Sequence, residues 1–218
     1  IMDNLLDLKE DRSFRMDMSY FNYCQGLTMT GSKFDKLFGR PARKPESPIT
    51  EHEMDIAASI QMVTEEIMLR SARHVHEQTG INNLCLAGGV ALNCVGNGRI
   101  LREGPFENVW IQPAAGDAGG ALGAALFAWH QVEDNPRTLA ASGRSSQGGS
   151  YLGPCFDSDQ IAAHLSEQGY PFTRVGSEEL PDQVAELIDE GKVVGWFSGR
   201  MEFGPRALGA RTILGDAR

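Results

Sequence analysis

The clearest pattern of apolar and polar positions along the chain is that of a long helix. Apolar residues recur at helical spacing over residues 51–79, as on one face of an α-helix. Thr50, followed at the third position by Glu53, has the sequence of a capping box at the start of that helix. Gly80 is a natural stop, so we predict one helix over residues 51–79.

The residues before this helix show weaker periodicity. Residues 14–18 alternate between apolar and polar, which predicts a short strand. Residues 33–48 contain several prolines and basic side chains, and we predict an ordered surface loop there. We interpret Arg40, Arg43 and Lys44 as part of a solvated face.

After the long helix, the pattern changes to a short strand, paired glycines and another helix. Residues 83–87 form an apolar run that ends at Gly88 and Gly89, and a helix is expected to carry residues 90–95. This order uncovers backbone amides at a helix start, which suits the phosphates of a nucleotide. A glycine turn after a strand is also common without any ligand, so both interpretations stay open.

The same order occurs a second time. Residues 108–111 are predicted to form a strand, residues 113–120 a glycine-rich turn and residues 121–126 a helix of small residues. Two such units indicate an α/β domain with parallel strand pairing, in which ligands collect beyond the carboxyl ends of the strands. Asp117 in the second turn is either a turn or helix cap or a carboxylate directed at a cation.

A change of composition marks the end of this domain. Residues 133–150 are rich in glycine, serine and other small residues, which is typical of a linker. We therefore predict one domain in residues 1–132 and a second domain in residues 151–218.

The second domain is predicted to begin with a helix capped by Asp157 or Ser158. A strand is expected over residues 172–175, a second helix from Pro181 and a buried strand over residues 193–197.

The segment after that strand concentrates positive charge. Arg200, Arg206 and Arg211 lie close together and are interleaved with glycine, proline and Glu202. The planar fork of N–H donors in arginine fits phosphate and carboxylate groups, and glycines let backbone amides approach the same ligand. We interpret the run as an anion pocket. The alternative is that Arg200 and Arg206 pair with Glu202 or other acids for structure alone.

Composition and charge narrow the classes of function. The 218 residues carry a net charge of −9, which argues against nucleic acid as a partner but not against a small polyanion. No apolar run approaches the length of a membrane span. The cysteines are scattered, so we expect reduced, mostly buried thiols in a cytoplasmic protein. They are Cys24, Cys85, Cys94 and Cys155.

Three runs of residues resemble the O-carbamoyltransferase family, whose members include nodulation-factor and antibiotic-tailoring enzymes. The runs are residues 85–94, 112–117 and 199–209, and the similarity is collinear from Phe14 to Arg218. The resemblance implies the latter half of an actin-like, RNase H-like ATPase-superfamily domain, followed by the start of an α/β carbamoyl-phosphate-processing domain. It implies ATP-dependent transfer of a carbamoyl group from carbamoyl phosphate, via a carbamoyl-adenylate, to a hydroxyl of a small-molecule acceptor.

The resemblance also implies roles for individual residues. The nucleotide pocket would be lined by Gly88, Gly89, Asn93, Gly116, Gly119 and Gly120. Asp117 would be a ligand of a divalent metal, suspected to be iron. Arg200, Arg206 and Arg211 would hold carbamoyl phosphate or the adenylate phosphate. Glu202 would orient the arginines.

The histidines depart from the family pattern. The family's metal site uses two histidines four residues apart, and no pair in this chain has that spacing. The histidines are His52, His74, His76, His130 and His164. The chain starts at Ile1 and stops at Arg218 directly after a patterned run, so we expect a fragment. Because the histidine pair is missing, we expect the fragment to have no transferase activity of its own.

Two other functions stay open at this point. An actin-like phosphotransferase of the sugar-kinase type would use similar glycine turns, and a non-catalytic nucleotide-binding module would need no transfer chemistry. Pyrophosphate and AMP as products would favour adenylation, whereas ADP would favour phosphoryl transfer. A homodimer is compatible with the sequence.

Overall fold

The computed structural model describes residue 1, residues 4–138 and residues 147–217. The chain forms two compact units. The first consists of Ile1–Cys85 and Asn93–Trp110, and the second of Leu86–Leu92 and Ile111–Arg218. The predicted strand–turn–helix repeats are therefore divided between the two units.

A short hairpin opens the first unit. β1 (Leu6–Leu8) pairs antiparallel with β2 (Phe14–Met16), and Leu6 lies opposite Met16. β2 confirms the strand predicted from the alternation of residues 14–18.

A helix lies where a loop was predicted. α1 (Ser32–Phe38) occupies the start of segment 33–48, so the loop prediction is wrong for these residues. The rings of Phe34 and Phe38 lie with their centroids 4.6 Å apart, and Gly39 follows the helix in the left-handed conformation, with φ of 80°. The helix is too short for its periodicity to be evident, and the prolines that suggested a loop come after it.

The long helix has the predicted bounds, and α2 is Glu51–Thr79. The Glu53 carboxylate accepts hydrogen bonds from Oγ1 and from the backbone N of Thr50, at 2.5 and 2.8 Å. These bonds lower the pKa of Glu53 to about 2. Gly80 ends the helix with φ of 64°, and its N–H donates to His76 O at 2.7 Å. The capping box is thereby confirmed.

α3 (Cys94–Glu103) packs against α2 and completes the core of the first unit. Leu69 on α2 and Ile100 on α3 are 1% and 2% exposed. A Cβ on Gly96 would lie 2.6 Å from Sδ of Met68, so a larger residue there would displace the flexible end of the Met68 side chain.

This helix begins later than expected. Gly89–Leu92 forms a single 3-10 turn, and α3 starts at Cys94, so the prediction of one helix over residues 90–95 is wrong at its start. Asn93 sets the boundary, because its Oδ1 accepts the N–H of Gly96 at 3.0 Å as an N-cap.

The two strands of the repeated units pair with each other. They are β3, Asn83–Leu86, and β4, Asn108–Ile111. Glu107 N donates to Asn82 O at 2.9 Å near the starts of the strands, and Gln112 N donates to Leu86 O at 3.1 Å near their ends. From the first of these bonds to the second, the residue numbers rise in both strands, so the strands run parallel, as predicted.

The described residues of the second unit form three α-helices. They are α4, Asp117–Phe127; α5, Ser158–Glu167; and α6, Leu180–Asp189. α4 begins before the predicted residue 121, and Ala128–Val132 continues it as a π-helical turn. Asp157 caps α5, and Pro181 lies in the first turn of α6 as predicted. Every helix in the described part of the chain lacks either the length or the apolar character that crossing a bilayer requires.

A hairpin ends the second unit. β5 (Val194–Phe197) pairs antiparallel with β6 (Arg211–Leu214). β5 lies where it was predicted, but it is not a buried strand, because Phe197 is 46% exposed. Within the described residues the sheet has these two strands, and a two-stranded ribbon leaves part of its surface uncovered.

Two further predictions are wrong. Residues 172–175 form no strand; Arg174 turns back to α5 and donates to Ser158 O at 3.2 Å, so a side-chain contact holds this segment. The four cysteines are free, as expected, but exposed rather than buried. Cys24 lies in a turn, Cys85 on the exposed side of β3 and Cys94 at the start of α3. Cys155 forms an isolated β-bridge with Arg200.

The predicted linker over residues 133–150 falls partly on residues 139–146, which lie outside the described residues. The linker and the domain bounds placed around it stay predictions.

Candidate active site

The third sequence motif contacts the first within the second unit. Arg206 lies in the run 199–209, and its Nη2 donates to the backbone O of Leu92 at 3.0 Å. Leu92 ends the 3-10 turn that begins at Gly89, directly after Gly88. An arginine predicted to bind an anion is therefore next to a turn predicted to bind a nucleotide.

Gly204 packs the third motif against the second. Its φ of 125° lies in the region that favours glycine. A Cβ at this position would lie 2.7 Å from Pro113 O and 3.1 Å from Ala114 Cα. A residue with a side chain cannot make this approach without displacing the backbone before α4.

The turns of the first and second motifs are joined by a backbone hydrogen bond. Gly88, with φ of 96°, donates its N–H to Ala115 O at 2.8 Å. Ala114 and Ala115 are 0% and 6% exposed. The two turns therefore pack together at the carboxyl ends of β3 and β4, where ligands collect in parallel sheets.

Asp117 is the first residue of α4, and it is exposed. Gly116 occupies the N-cap position without a side-chain bond, so Asp117 does not cap this helix. Its carboxylate lies in the first helical turn, where the helix dipole favours negative charge.

Gly119 and Gly120 lie inside α4, so the turn predicted over residues 113–120 is too long. A Cβ on Gly119 would lie 2.0 Å from Ala114 O, and glycine there lets the helix start close to the buried turn. Gly120 is exposed, and beyond its own chain neighbours and helix backbone no described atom lies within 4 Å of a Cβ built on it. Packing therefore requires glycine at one of these positions and not at the other.

Asn93 belongs to the first unit, whereas the glycines of the predicted nucleotide pocket belong to the second. Its Nδ2 donates to Gln61 Oε1 at 2.9 Å, and its Oδ1 accepts from Gln61 Nε2 at 3.1 Å as well as from Gly96 N. The side chain thus caps α3 and links it to α2. A role for Asn93 in nucleotide binding stays a prediction.

The other two arginines are oriented by backbone carbonyls. Arg200 Nη1 donates to Gly153 O at 2.8 Å, and Arg211 Nη2 donates to Gly204 O. A guanidinium has five N–H donors, so each of these contacts uses one donor and fixes the direction of the others. Arg200 and Arg206 thus donate to backbone carbonyls of Gly153 and Leu92.

Glu202 is 1% exposed and binds the backbone of its own loop. Its Oε1 accepts the N–H groups of Leu208, Ala210 and Arg211 at 2.7, 2.7 and 3.3 Å. Burial raises the pKa of the carboxyl, but the backbone donors of Glu202 itself, Ala210, Leu208 and Arg211 outweigh burial and lower the pKa to about 2. Its Oε2 lies 3.7 Å from Nε of Arg211, the arginine with which it forms an ion pair.

Two aromatic residues outside the predicted set hold the same loop. Tyr151 Oη donates to Leu208 O at 2.7 Å, and Trp196 Nε1 donates to Gly209 O at 3.2 Å. Trp196 lies on β5, three residues before the arginine motif begins at Gly199, and that position was a usable signal. Tyr151 is separated from Leu208 by 57 residues, and no local pattern connects them.

Comparison with known families agrees with the three motifs. Residues 1–126 match the family described as Carbamoyltransferase N-terminus, and residues 185–218 match Carbamoyltransferase C-terminus. The chain belongs to the carbamoyltransferase family. The first two motifs lie in the first match, and the arginine motif lies in the second.

Several relatives of this carbamoyltransferase chain are much longer than it is. It is 58% identical over 220 residues to an uncharacterized protein, sll1178, of Synechocystis sp.. The aligned region covers 100% of this chain and 35% of that protein. It is 42% identical over 178 residues to nodulation protein NolNO of Sinorhizobium fredii, covering 81% of this chain and 25% of the relative. Nodulation protein NolO of Bradyrhizobium diazoefficiens is 39% identical to it over 178 residues, which cover 81% of this chain and 31% of NolO. The chain thus spans about a third or less of the length of these relatives.

The residues described for this carbamoyltransferase chain do not by themselves form a metal site. Among them, no group of three or more His, Cys, Asp or Glu side chains could hold a metal ion. Asp117 is one candidate ligand, and a single carboxylate does not satisfy the coordination of a divalent metal. The described residues therefore do not complete the coordination of the predicted metal.

The first unit has a separate cavity of about 890 Å³. Its lining includes Asp7, Arg15, Asp17 and Arg70. None of the residues predicted for the site lines this cavity, so it is not part of the candidate active site.

Proposed function

We propose that this chain carries part of the active site of an ATP-dependent O-carbamoyltransferase. In the proposed reaction, carbamoyl phosphate is the source of the carbamoyl group and ATP activates that group as a carbamoyl-adenylate. A hydroxyl of a small-molecule acceptor then receives it. Membership of the carbamoyltransferase family supports carbamoyl transfer as the class of reaction.

The contact between Arg206 and Leu92 is the observation that carries the proposal. The arginine motif suits carbamoyl phosphate or the phosphate of the adenylate. The turn at Gly88 and Gly89 suits the phosphates of ATP. Two substrates that react with each other need adjacent binding residues, and this contact makes the two motifs adjacent.

The charges of the site suit this chemistry. ATP and carbamoyl phosphate are both polyanions, and their mutual repulsion raises the barrier to reaction. Arg200 and Arg206 in the loop after β5, with Arg211 at the start of β6, concentrate positive charge in a chain whose net charge is −9. Backbone carbonyls and amides hold that loop in position before the substrates bind, so little reorganisation is required in the transition state.

The balance of atoms defines the expected products. Carbamoyl phosphate and one water give carbamate and inorganic phosphate. A carbamate oxygen then attacks the α-phosphorus of ATP, the bond to the β,γ-phosphates breaks, and carbamoyl-adenylate and pyrophosphate form. The acceptor hydroxyl attacks the carbamoyl carbon, AMP leaves, and the hydroxyl proton is released. Each turnover yields AMP, pyrophosphate, inorganic phosphate and the carbamoylated acceptor.

Three further parts of the proposal depend on the family resemblance. An actin-like fold for the first domain is supported by the parallel pair of β3 and β4 with its glycine turns. A divalent metal, iron by that resemblance, would take Asp117 as one ligand. No step is assigned to the metal, because the described residues do not complete its coordination. A cytoplasmic location agrees with the free cysteines.

Pyrophosphate exchange in the full-length protein tests the proposal without knowledge of the acceptor. We expect labelled pyrophosphate to enter ATP only when carbamoyl phosphate is present, because formation of the adenylate is reversible. ADP as the nucleotide product would contradict the proposal and favour a phosphotransferase. Exchange that does not depend on carbamoyl phosphate would also contradict it.

A further inference from the structure

The segment Gln147–Pro154 lies outside both family matches, which cover residues 1–126 and 185–218. Within the second unit, it nevertheless lies directly alongside the arginine motif. Phe203 N donates to Ser150 O at 2.7 Å. Gly153 N donates to Met201 O at 2.9 Å, and Met201 N donates to Pro154 O at 2.9 Å. The backbone of segment 147–154 is thus bonded to the backbone of residues 201–203.

Side chains extend this contact to both ends of the motif. Arg200 Nη1 donates to Gly153 O at 2.8 Å, so the segment orients one of the arginines directly. Tyr151 Oη donates to Leu208 O at 2.7 Å, on the far side of Arg206. The loop that carries these arginines is therefore held by segment 147–154 before and after its turn.

The same segment is bonded to the second motif. Gln147 Nε2 donates to Gln112 Oε1 at 2.8 Å and to Ser150 Oγ at 2.7 Å. Gln112 Oε1 also accepts the N–H of Ala114 at 3.3 Å, in the buried turn before α4. A continuous set of hydrogen bonds thus runs from the second motif, through Gln147 and Ser150, to Phe203 in the third.

Burial and backbone conformation show that this segment is tightly constrained. Ser150 is 1% exposed and has φ of 68°, an unusual value for a residue with a side chain. Such a conformation persists where surrounding contacts enforce it. A Cβ on Gly153 would lie 2.9 Å from Met201 O, so glycine is required for the close approach of the two backbones.

We propose that segment 147–154 is a positioning element of the active site, which fixes Arg200 and the arginine loop relative to the second motif. This inference rests on the proposed function. Small displacements of binding groups cost rate and affinity because the reacting atoms must be held in one geometry. Tyr151, Gln147 and Gly153 act through the residues that bind substrate and do not need to contact it.

The test compares Tyr151→Phe with Tyr170→Phe in the full-length protein. Tyr151→Phe removes the hydroxyl that binds Leu208 O, whereas Tyr170 is 59% exposed in the same unit and provides a matched control. We expect the KM for carbamoyl phosphate in pyrophosphate exchange to rise roughly three- to tenfold in Tyr151→Phe. The maximal rate per folded molecule should stay within about twofold, because no group that touches substrate is changed.

Hydrogen exchange gives a readout that does not depend on activity. Amides in peptides covering residues 200–210 should exchange faster in Tyr151→Phe than in the wild type or in Tyr170→Phe, because one bond that closes the loop is lost. Unchanged exchange together with an unchanged KM would overturn the positioning role. Faster exchange with an unchanged KM would overturn it too. An inactive wild type would instead contradict the proposed function. Failure of the positioning role can therefore be distinguished from failure of the proposed function.

Discussion

Oε1 of Glu202 accepts the backbone N–H of Ala210 at 2.7 Å, and the two residues are 1% and 3% exposed. Arg206 lies in the turn between them, so a buried carboxylate closes the loop that presents this arginine. A buried acceptor shared by several backbone donors is costly to remove, because each N–H then loses its partner. The stability of the arginine loop therefore depends on a residue that does not need to touch a ligand.

Replacing Glu202 should destabilise the protein in a graded way. Glu202→Ala removes the acceptor of Leu208 N and Ala210 N, whereas Glu202→Gln keeps an acceptor oxygen but sets an amide beside Arg211. We expect the midpoint of thermal unfolding to fall by roughly 5 °C or more in Glu202→Ala and by less in Glu202→Gln. Glu190→Gln, which changes an exposed glutamate of the same unit, should unfold like the wild type. Equal midpoints for Glu202→Ala and the wild type would refute the role of the carboxylate.

The contribution of Glu202 should also depend on pH. Its pKa is about 2 in the folded protein, below the ordinary value of 4.5. A group whose pKa is lowered by folding adds stability above its unfolded pKa and loses that stability as the pH falls through the folded pKa. The difference in unfolding midpoint between wild type and Glu202→Gln should therefore be constant above about pH 5 and shrink between about pH 4.5 and pH 2. Urea unfolding at a series of pH values measures this difference in midpoint. A difference that grows toward acid pH would contradict the lowered pKa of Glu202.

Arg206 should contribute more to the use of carbamoyl phosphate than to the stability of the fold. Arg206→Ala removes a directed donor from the proposed anion pocket, and we expect kcat/KM for carbamoyl phosphate in the full-length protein to fall by about 100-fold or more. Arg206→Lys keeps the charge without the planar fork, so an intermediate loss of about tenfold is expected. Pyrophosphate exchange at varied carbamoyl phosphate concentration measures both values.

Arg174→Ala is the matched control for Arg206→Ala. It removes the same charge from the same unit, at a side chain that is 58% exposed and paired with Asp159. An exposed ion pair contributes little, so activity should remain within about twofold of wild type. Comparable losses in the two variants would assign the effect to net charge and refute a specific pocket at Arg206.

Elements with strong local signals could be predicted from the sequence. The bounds of α2 follow from Thr50 and Glu53 at its start and from Gly80 at its end, all within or next to the helix. The parallel pairing of β3 and β4 follows from the repeated strand–turn–helix order. These features depend on neighbours in sequence, where capping and periodicity act.

Contacts between distant segments could not be predicted in the same way. The motif residues were identified by type, but the carbonyls that orient Arg200 and Arg206 belong to Gly153 and Leu92, and no local pattern marks them. Glu202 was expected to orient the arginines; it forms an ion pair with Arg211, and its Oε1 accepts three backbone N–H groups. Residue type indicates which ligand a loop suits, and the tertiary approach of backbones decides how that loop is held.

Gly119 and Gly123 provide a direct test of this distinction within one helix. A Cβ on Gly119 would lie 2.0 Å from Ala114 O. A Cβ on Gly123 would have no described atom within 4 Å beyond its chain neighbours and its own helix backbone. Alanine is favoured over glycine inside a helix, so Gly123→Ala should raise the free energy of unfolding by about 0.5–1 kcal/mol. Gly119→Ala should lower it by about 1–3 kcal/mol, because α4 must move away from the buried turn. Urea unfolding of both variants measures the difference, and stabilisation by both alanines would show that Gly119 is not held by packing.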